Sequence, residues 1–126
     1  MADIVVLYTT WPDAEMAEAC AAEAVAERLA ACANIGAPVR SVYRWQGAVE
    51  RSAEVPMLLK TTAEAAPALV AFIVSRHSFQ TPCVVAMPVD RAASLDEFLA
   101  WVEDEVTAPA PETISDEPIS PQTEQN

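Results

Sequence analysis

One histidine, His77, and one lysine, Lys60, are the only residues of their kind in this chain, and they stand among three cysteines, Cys20, Cys32 and Cys83. An imidazole can move a proton or ligate a metal. Thiolates bind soft metals such as Cu(I). A lone ammonium at the end of an apolar strand can anchor an anion. His77 with Cys32 or Cys83 is therefore the candidate soft-metal set, with His77 as a plain surface residue at a helix end the alternative. Cys20 reads as a small buried hydrophobe. Zinc-like sites need three or four ligands, so one histidine cannot close a site alone and ligands would have to come from a second chain.

The remaining polar and aromatic candidates lie at the ends of apolar runs. Arg44 and Trp45 stand at a hairpin tip with Glu50 beyond it, and Phe79 and Pro82 follow His77. Trp45 reads either as a ligand platform or as an aromatic plug between subunits. Arg44 and Lys60 together would suit a small anionic metabolite. No Ser–His–Asp arrangement surrounds His77. The only glycines are Gly36 and Gly47, so no glycine-rich phosphate loop exists. An enzyme using Lys60 and His77 is the weakest reading, and none is expected.

These residues must be positioned by a small number of elements. The 126 residues form one domain's length, and 52% of them are apolar. Residues 3–10 predict a strand. Asp13 caps a helix over 14–31, whose apolar stripe is Ala17, Ala21, Val25 and Leu29. The stretch 34–38 reads as irregular. Strands follow near 39–46 and 48–60 around a tight Gln46-Gly47 turn. Pro67 places a helix at about 65–76, with Thr61 and Glu64 resembling a capping box. A strand over 83–89 and a helix over 95–106 complete the domain, the latter behind a Ser94–Glu97 capping box. The order is the ferredoxin-like βαββαβ plus a C-terminal helix, an α+β fold.

Charge and tail narrow the partners. The net charge of −12 opposes nucleic acid and anionic lipid. No run is long enough for a membrane helix, and the absence of an export signal at the start predicts a cytoplasmic protein. Residues 107–126 carry Glu112, Asp116, Glu117 and Glu124 without Lys or Arg, and are rich in proline. They read as an acidic, disordered tail beyond a domain at 1–106. The predicted strands are apolar on both faces, whereas a sheet with one wet face should alternate. A second copy of the chain is the direct cover for the free face.

The wording Ala26-Glu27-Arg28-Leu29-Ala30-Ala31-Cys32-Ala33-Asn34-Ile35, Ser41-Val42-Tyr43-Arg44-Trp45-Gln46-Gly47, Leu59-Lys60-Thr61 and His77 to Pro82 resembles the CutA-type divalent-cation tolerance proteins over about residues 3–106. The resemblance implies a homotrimer, similar in build to the PII signalling proteins, that responds to divalent metal ions without being an enzyme. It implies no required cofactor, with copper the candidate metal. It also implies a cleft between subunits built from Trp45, Glu50, Lys60, His77, Phe79 and Pro82. A PII-like module holding an anionic metabolite there is the alternative. The family's His-Pro-Tyr-Glu-x-Pro run reads His77-Ser78-Phe79-Gln80-Thr81-Pro82 here, and Cys83 replaces a carboxylate. These changes remove oxygen ligands and favour a softer site.

Overall fold

A computed structural model describes residues 1–108. Its first strand, β1 (Ile4–Trp11), is followed by α1 (Ala14–Ala26), β2 (Cys32–Ile35), β3 (Val39–Trp45), β4 (Ala48–Thr62), α2 (Ala66–Arg76), β5 (Val84–Pro88) and α3 (Asp96–Glu105). The sheet runs β2-β4-β1-β5, every pairing antiparallel. This is the expected ferredoxin-like arrangement with an added C-terminal helix.

The fold is organised by β4. Its second half, Val55 to Thr62, pairs with β1, and within it Met57–Lys60 also pair with β2. Its first half, Ala48–Glu54, pairs only with β3 and forms a two-stranded arm. The tip is the two-residue turn that Gln46-Gly47 predicts: both residues have positive φ, 49° and 83°, the twist that suits an antiparallel ribbon. Pro56, which has no N–H to give the ladder, marks the handover from sheet to arm. Gly36 donates to the Pro56 carbonyl at 2.9 Å, and a Cβ on Gly36 would stand 3.1 Å from the Pro56 ring.

One face of the sheet is covered. Leu7, Trp11, Met57 and Leu59 are fully buried against Ala17, Cys20 and Ala24 of α1 and Leu69 and Ile73 of α2. Each large side chain buried this way contributes about 1.5–3 kcal/mol. A second cluster, Ile4, Ala65, Leu99, Val102 and Val106, fixes α3 at the end of the sheet where β1 begins. The opposite face carries Val6, Tyr8, Leu58, Val85 and Met87 in register. No described element buries it fully, and Val85 is 52% exposed.

Several local expectations need correction. The first helix stops at Ala26 rather than Ala31. Arg28 takes a left-handed conformation, φ 61°, and is held there by long-range contacts: its guanidinium donates to the Asp104 carbonyl, and its own carbonyl accepts from Thr107 N–H. The apolar stripe follows Ala17, Cys20, Ala21 and Ala24, and Val25 is exposed. Residues 32–35, whose last two read as irregular, form β2, so Cys32 opens a strand. Asp13 does cap α1, accepting from Met16 N–H at 2.8 Å. Neither capping box forms. The Thr61 hydroxyl donates to the Leu29 carbonyl, leaving Thr62 to accept from Ala65 N–H. Ser94 donates to the Asp90 carbonyl, and α3 starts without a side-chain cap. Thr107 and Ala108 are packed onto the domain; residues 109–126 of the expected disordered tail lie outside the described residues.

Candidate functional site

Where the arm leaves the sheet, its inner face and the loop before β5 enclose a cleft of about 610 Å³. β1 supplies Tyr8 and Thr10 to the floor. The arm supplies Ser41, Tyr43, Trp45 and Glu54, and the loop supplies Phe79 and Cys83 among others. The register explains the selection. Ser41, Tyr43 and Trp45 stand opposite Ser52, Glu50 and Ala48, on the face that continues the open side of β4. Alternation then puts Arg40, Val42, Arg44, Val49 and Arg51 on the other face.

His77 holds the loop in place from behind. Its ring stacks on Trp11 at 4.3 Å between centroids and meets Phe79 at 4.7 Å. Nε2–H donates to the Thr10 carbonyl at 2.7 Å, and Nδ1 accepts from Phe79 N–H at 3.1 Å. These two partners define the neutral Nε2–H tautomer. Trp11 is anchored in turn: its indole donates to the Thr9 hydroxyl at 2.7 Å, and that hydroxyl donates to the Met57 carbonyl at 2.9 Å. His77 is thus a positioning residue for Phe79, with neither ring nitrogen left for a metal in this arrangement.

The sequence candidates separate accordingly. Trp45, Phe79 and Cys83 meet in the cleft. Pro82 is half-buried beside Cys83 but does not line it. Glu50 shares the inner face of the arm, nearer the tip. Arg44 is on the outer face, against the expectation that it joins Lys60 around an anion. Lys60 lies on the open face, four residues beyond Pro56 along β4, roughly 13 Å away. It bonds the Asn34 side-chain oxygen. Cys32 is its neighbour in register. The proposed metal set of His77, Cys32 and Cys83 therefore does not assemble within one chain. Among the described residues, no three His, Cys, Asp or Glu side chains gather to hold a metal.

Glu54 is the one charged side chain lining the cleft, and it escaped notice in the sequence, as did Tyr8, while Tyr43 stood in the family wording without being named a site residue. The available signal was the parity of β4: Glu54, Pro56, Leu58 and Lys60 alternate onto one face. Cys83 is exposed, Cys32 partly so and Cys20 buried, all three as free thiols. Burial pushes the Cys20 thiol up to about 11, so it is inert at neutral pH. No helix among the described residues is long and apolar enough to cross a membrane.

Residues 5–105 match the family model described as CutA1 divalent ion tolerance protein. The divalent-cation tolerance protein CutA of Archaeoglobus fulgidus is 37% identical over 100 residues, covering 79% of this chain and 95% of that protein. The CutA of Salmonella newport is 38% identical, with 79% and 85% covered. Among solved structures, the divalent cation tolerance protein of Thermus thermophilus superposes with a TM-score of 0.78 at 38% identity, covering 82% of this chain and 99% of that one. CutA1 from Oryza sativa gives 0.80 at 30% identity, with 86% and 97% covered. Fold, length and sequence agree, and the chain belongs to the CutA1 divalent ion tolerance family.

Proposed function

We propose that this chain acts as a non-enzymatic homotrimer in the tolerance of divalent metal ions and binds copper weakly where its chains meet. The carrying observation is the sheet face left open by the fold. Val6, Tyr8, Leu58, Val85 and Met87 form a contiguous apolar surface beside the arm, whose Tyr43 and Trp45 are also exposed. Burying such a surface against identical copies satisfies it with closed symmetry. The cleft then lies at the boundary between chains.

The donors at that boundary are the Cys83 thiol and the Glu54 carboxylate. A thiolate suits Cu(I), and two donors from one chain leave a coordination sphere for others to complete. His77 contributes by fixing Phe79 and the loop that carries Cys83. The anionic-metabolite alternative has less support, since the cleft lining holds a carboxylate and no basic side chain. A reducing cytoplasmic location belongs to the same proposal, consistent with three unbridged cysteines.

Titration calorimetry of the assembled protein with Cu(I) tests the site. Cys83→Ser is expected to weaken binding at least tenfold, with Cys20→Ser unchanged. Equal affinity in wild type and Cys83→Ser would remove the cleft from the metal role. Sedimentation velocity at micromolar concentration tests the assembly independently.

A further inference from the structure

The outer face of the β3–β4 arm carries Arg40, Arg44 and Arg51, three of the chain's seven basic residues. Each of the other four has a partner. Arg76 pairs with Glu23, and Arg91 with Glu103 and Asp96. Arg28 donates to the Asp104 carbonyl and Lys60 to Asn34. Among the described residues, the three arm arginines pair with no carboxylate. Glu50 and Glu54 are on the same ribbon but face the other way. Val42, 63% exposed, sits between Arg40 and Arg44 and opposite Arg51; Val49, 56% exposed, sits opposite Arg44. Three like charges around two bare valines repel one another and leave apolar surface wet. An anionic partner with its own aliphatic groups relieves both.

The chain contains such a partner. Residues 109–126 hold Glu112, Asp116, Glu117 and Glu124 and no basic residue, and their two large aliphatics, Ile114 and Ile119, bracket Asp116-Glu117. We propose that this acidic segment docks on the outer face of the arm, its distal carboxylates meeting Arg40, Arg44 and Arg51 and its Ile119 covering Val42.

The tether is long enough. Ala108 is fixed beside Ile4, which stands opposite Thr62. From Thr62 the arm face begins at Ala53, opposite Arg40, and reaches Arg51 two residues later. That is roughly 30–36 Å along a strand, and Arg44, opposite Val49, lies roughly 43 Å out. Glu117 lies nine residues beyond Ala108, a span of roughly 30–32 Å when extended, Ile119 reaches roughly 36–40 Å, and Glu124 reaches beyond 50 Å. Exposed ion pairs are individually weak, but tethering raises the effective concentration to about the millimolar range. Nucleic acid is the poorer occupant, because the rest of this acidic chain repels it. The inference rests on neither the metal role nor the trimer.

The test uses the full chain, isotopically labelled, and reads the amide signals of residues 112–124 by NMR. In the wild type at low salt these signals are expected to be attenuated by docking. Arg40→Gln/Arg44→Gln/Arg51→Gln, or 1 M NaCl with its Debye length of about 3 Å, is expected to raise their intensity several-fold. The reciprocal variant, Glu112→Gln/Asp116→Asn/Glu117→Asn/Glu124→Gln, leaves the arm's own sequence unchanged and is expected to shift the side-chain Nε signals of Arg40, Arg44 and Arg51. It decides the matter if the arginine variant unfolds. Tail signals that ignore both salt and the arginine substitutions overturn the proposal. So do tail signals that respond to salt alone, which would place the segment elsewhere.

Discussion

A double substitution, Val85→Asp with Met87→Asp, separates the fold of one chain from the assembly of several. Both residues lie on β5, opposite Tyr8 and Val6, on the open face. In the single chain they are 52% and 42% exposed. A carboxylate placed there reaches water, so the cost to the isolated subunit is small, about 0.5 kcal/mol each by the usual behaviour of surface sites. In a trimer that buries this face, the same carboxylates lose hydration without a partner, because the neighbouring groups in register are apolar. That costs at least about 3 kcal/mol per chain, or more than a hundredfold in each association step, before the lost apolar contact is added. Sedimentation velocity at micromolar concentration reads the outcome, with circular dichroism reporting secondary structure. The expected result is a folded monomer from the variant and a trimer from the wild type. A variant that stays trimeric with unchanged melting would show that the open face is not the contact surface.

Three further outcomes follow from individual contacts. His77→Ala removes two hydrogen bonds and a ring stack, and is expected to lower stability by about 2 kcal/mol in urea unfolding; a loss below about 0.5 kcal/mol would deny the residue its positioning role. The Ala2 N–H, assisted by Arg91, holds the Glu103 carboxyl below the usual carboxylate range. Its contribution is complete above the ordinary carboxylate range and disappears as pH falls through the depressed value. Glu103→Gln should therefore flatten the acid limb of melting temperature against pH, and an unchanged limb would contradict the assignment. At neutral pH, Cys83 should react fastest with a thiol reagent and Cys20 only on unfolding, since burial raises the Cys20 thiol to about 11; prompt reaction of all three would show that the core opens readily.

What could be read in advance depended on how local its cause was. Asp13 accepts a bond three residues away, and Gln46-Gly47 closes a two-residue turn, so both were legible. The end of α1 was not, because Arg28 is held in its conformation by Asp104 and Thr107, more than seventy residues away in sequence. Thr61 and Ser94 carry the right residue type for a cap but spend their hydroxyls on the Leu29 and Asp90 carbonyls. In the cleft, Trp45, Phe79 and Cys83 drew notice by residue type and do meet there. Lys60 drew notice as the sole lysine, yet its strand position directs it to Asn34. Glu54, Tyr8 and Tyr43 look like ordinary strand residues until the pairing of β4 with both β1 and β3 brings them together.

Because the arm continues β4 without a break, its two sides are governed by parity. Adding one residue between Glu54 and Pro56 would roll the arm half a turn, turning the aromatic side outward and the arginines in toward the cleft. Adding two would lengthen the lever and keep each side in its place. Length changes within this family's arm should therefore come in even steps on β4, matched on β3, wherever the cleft is retained.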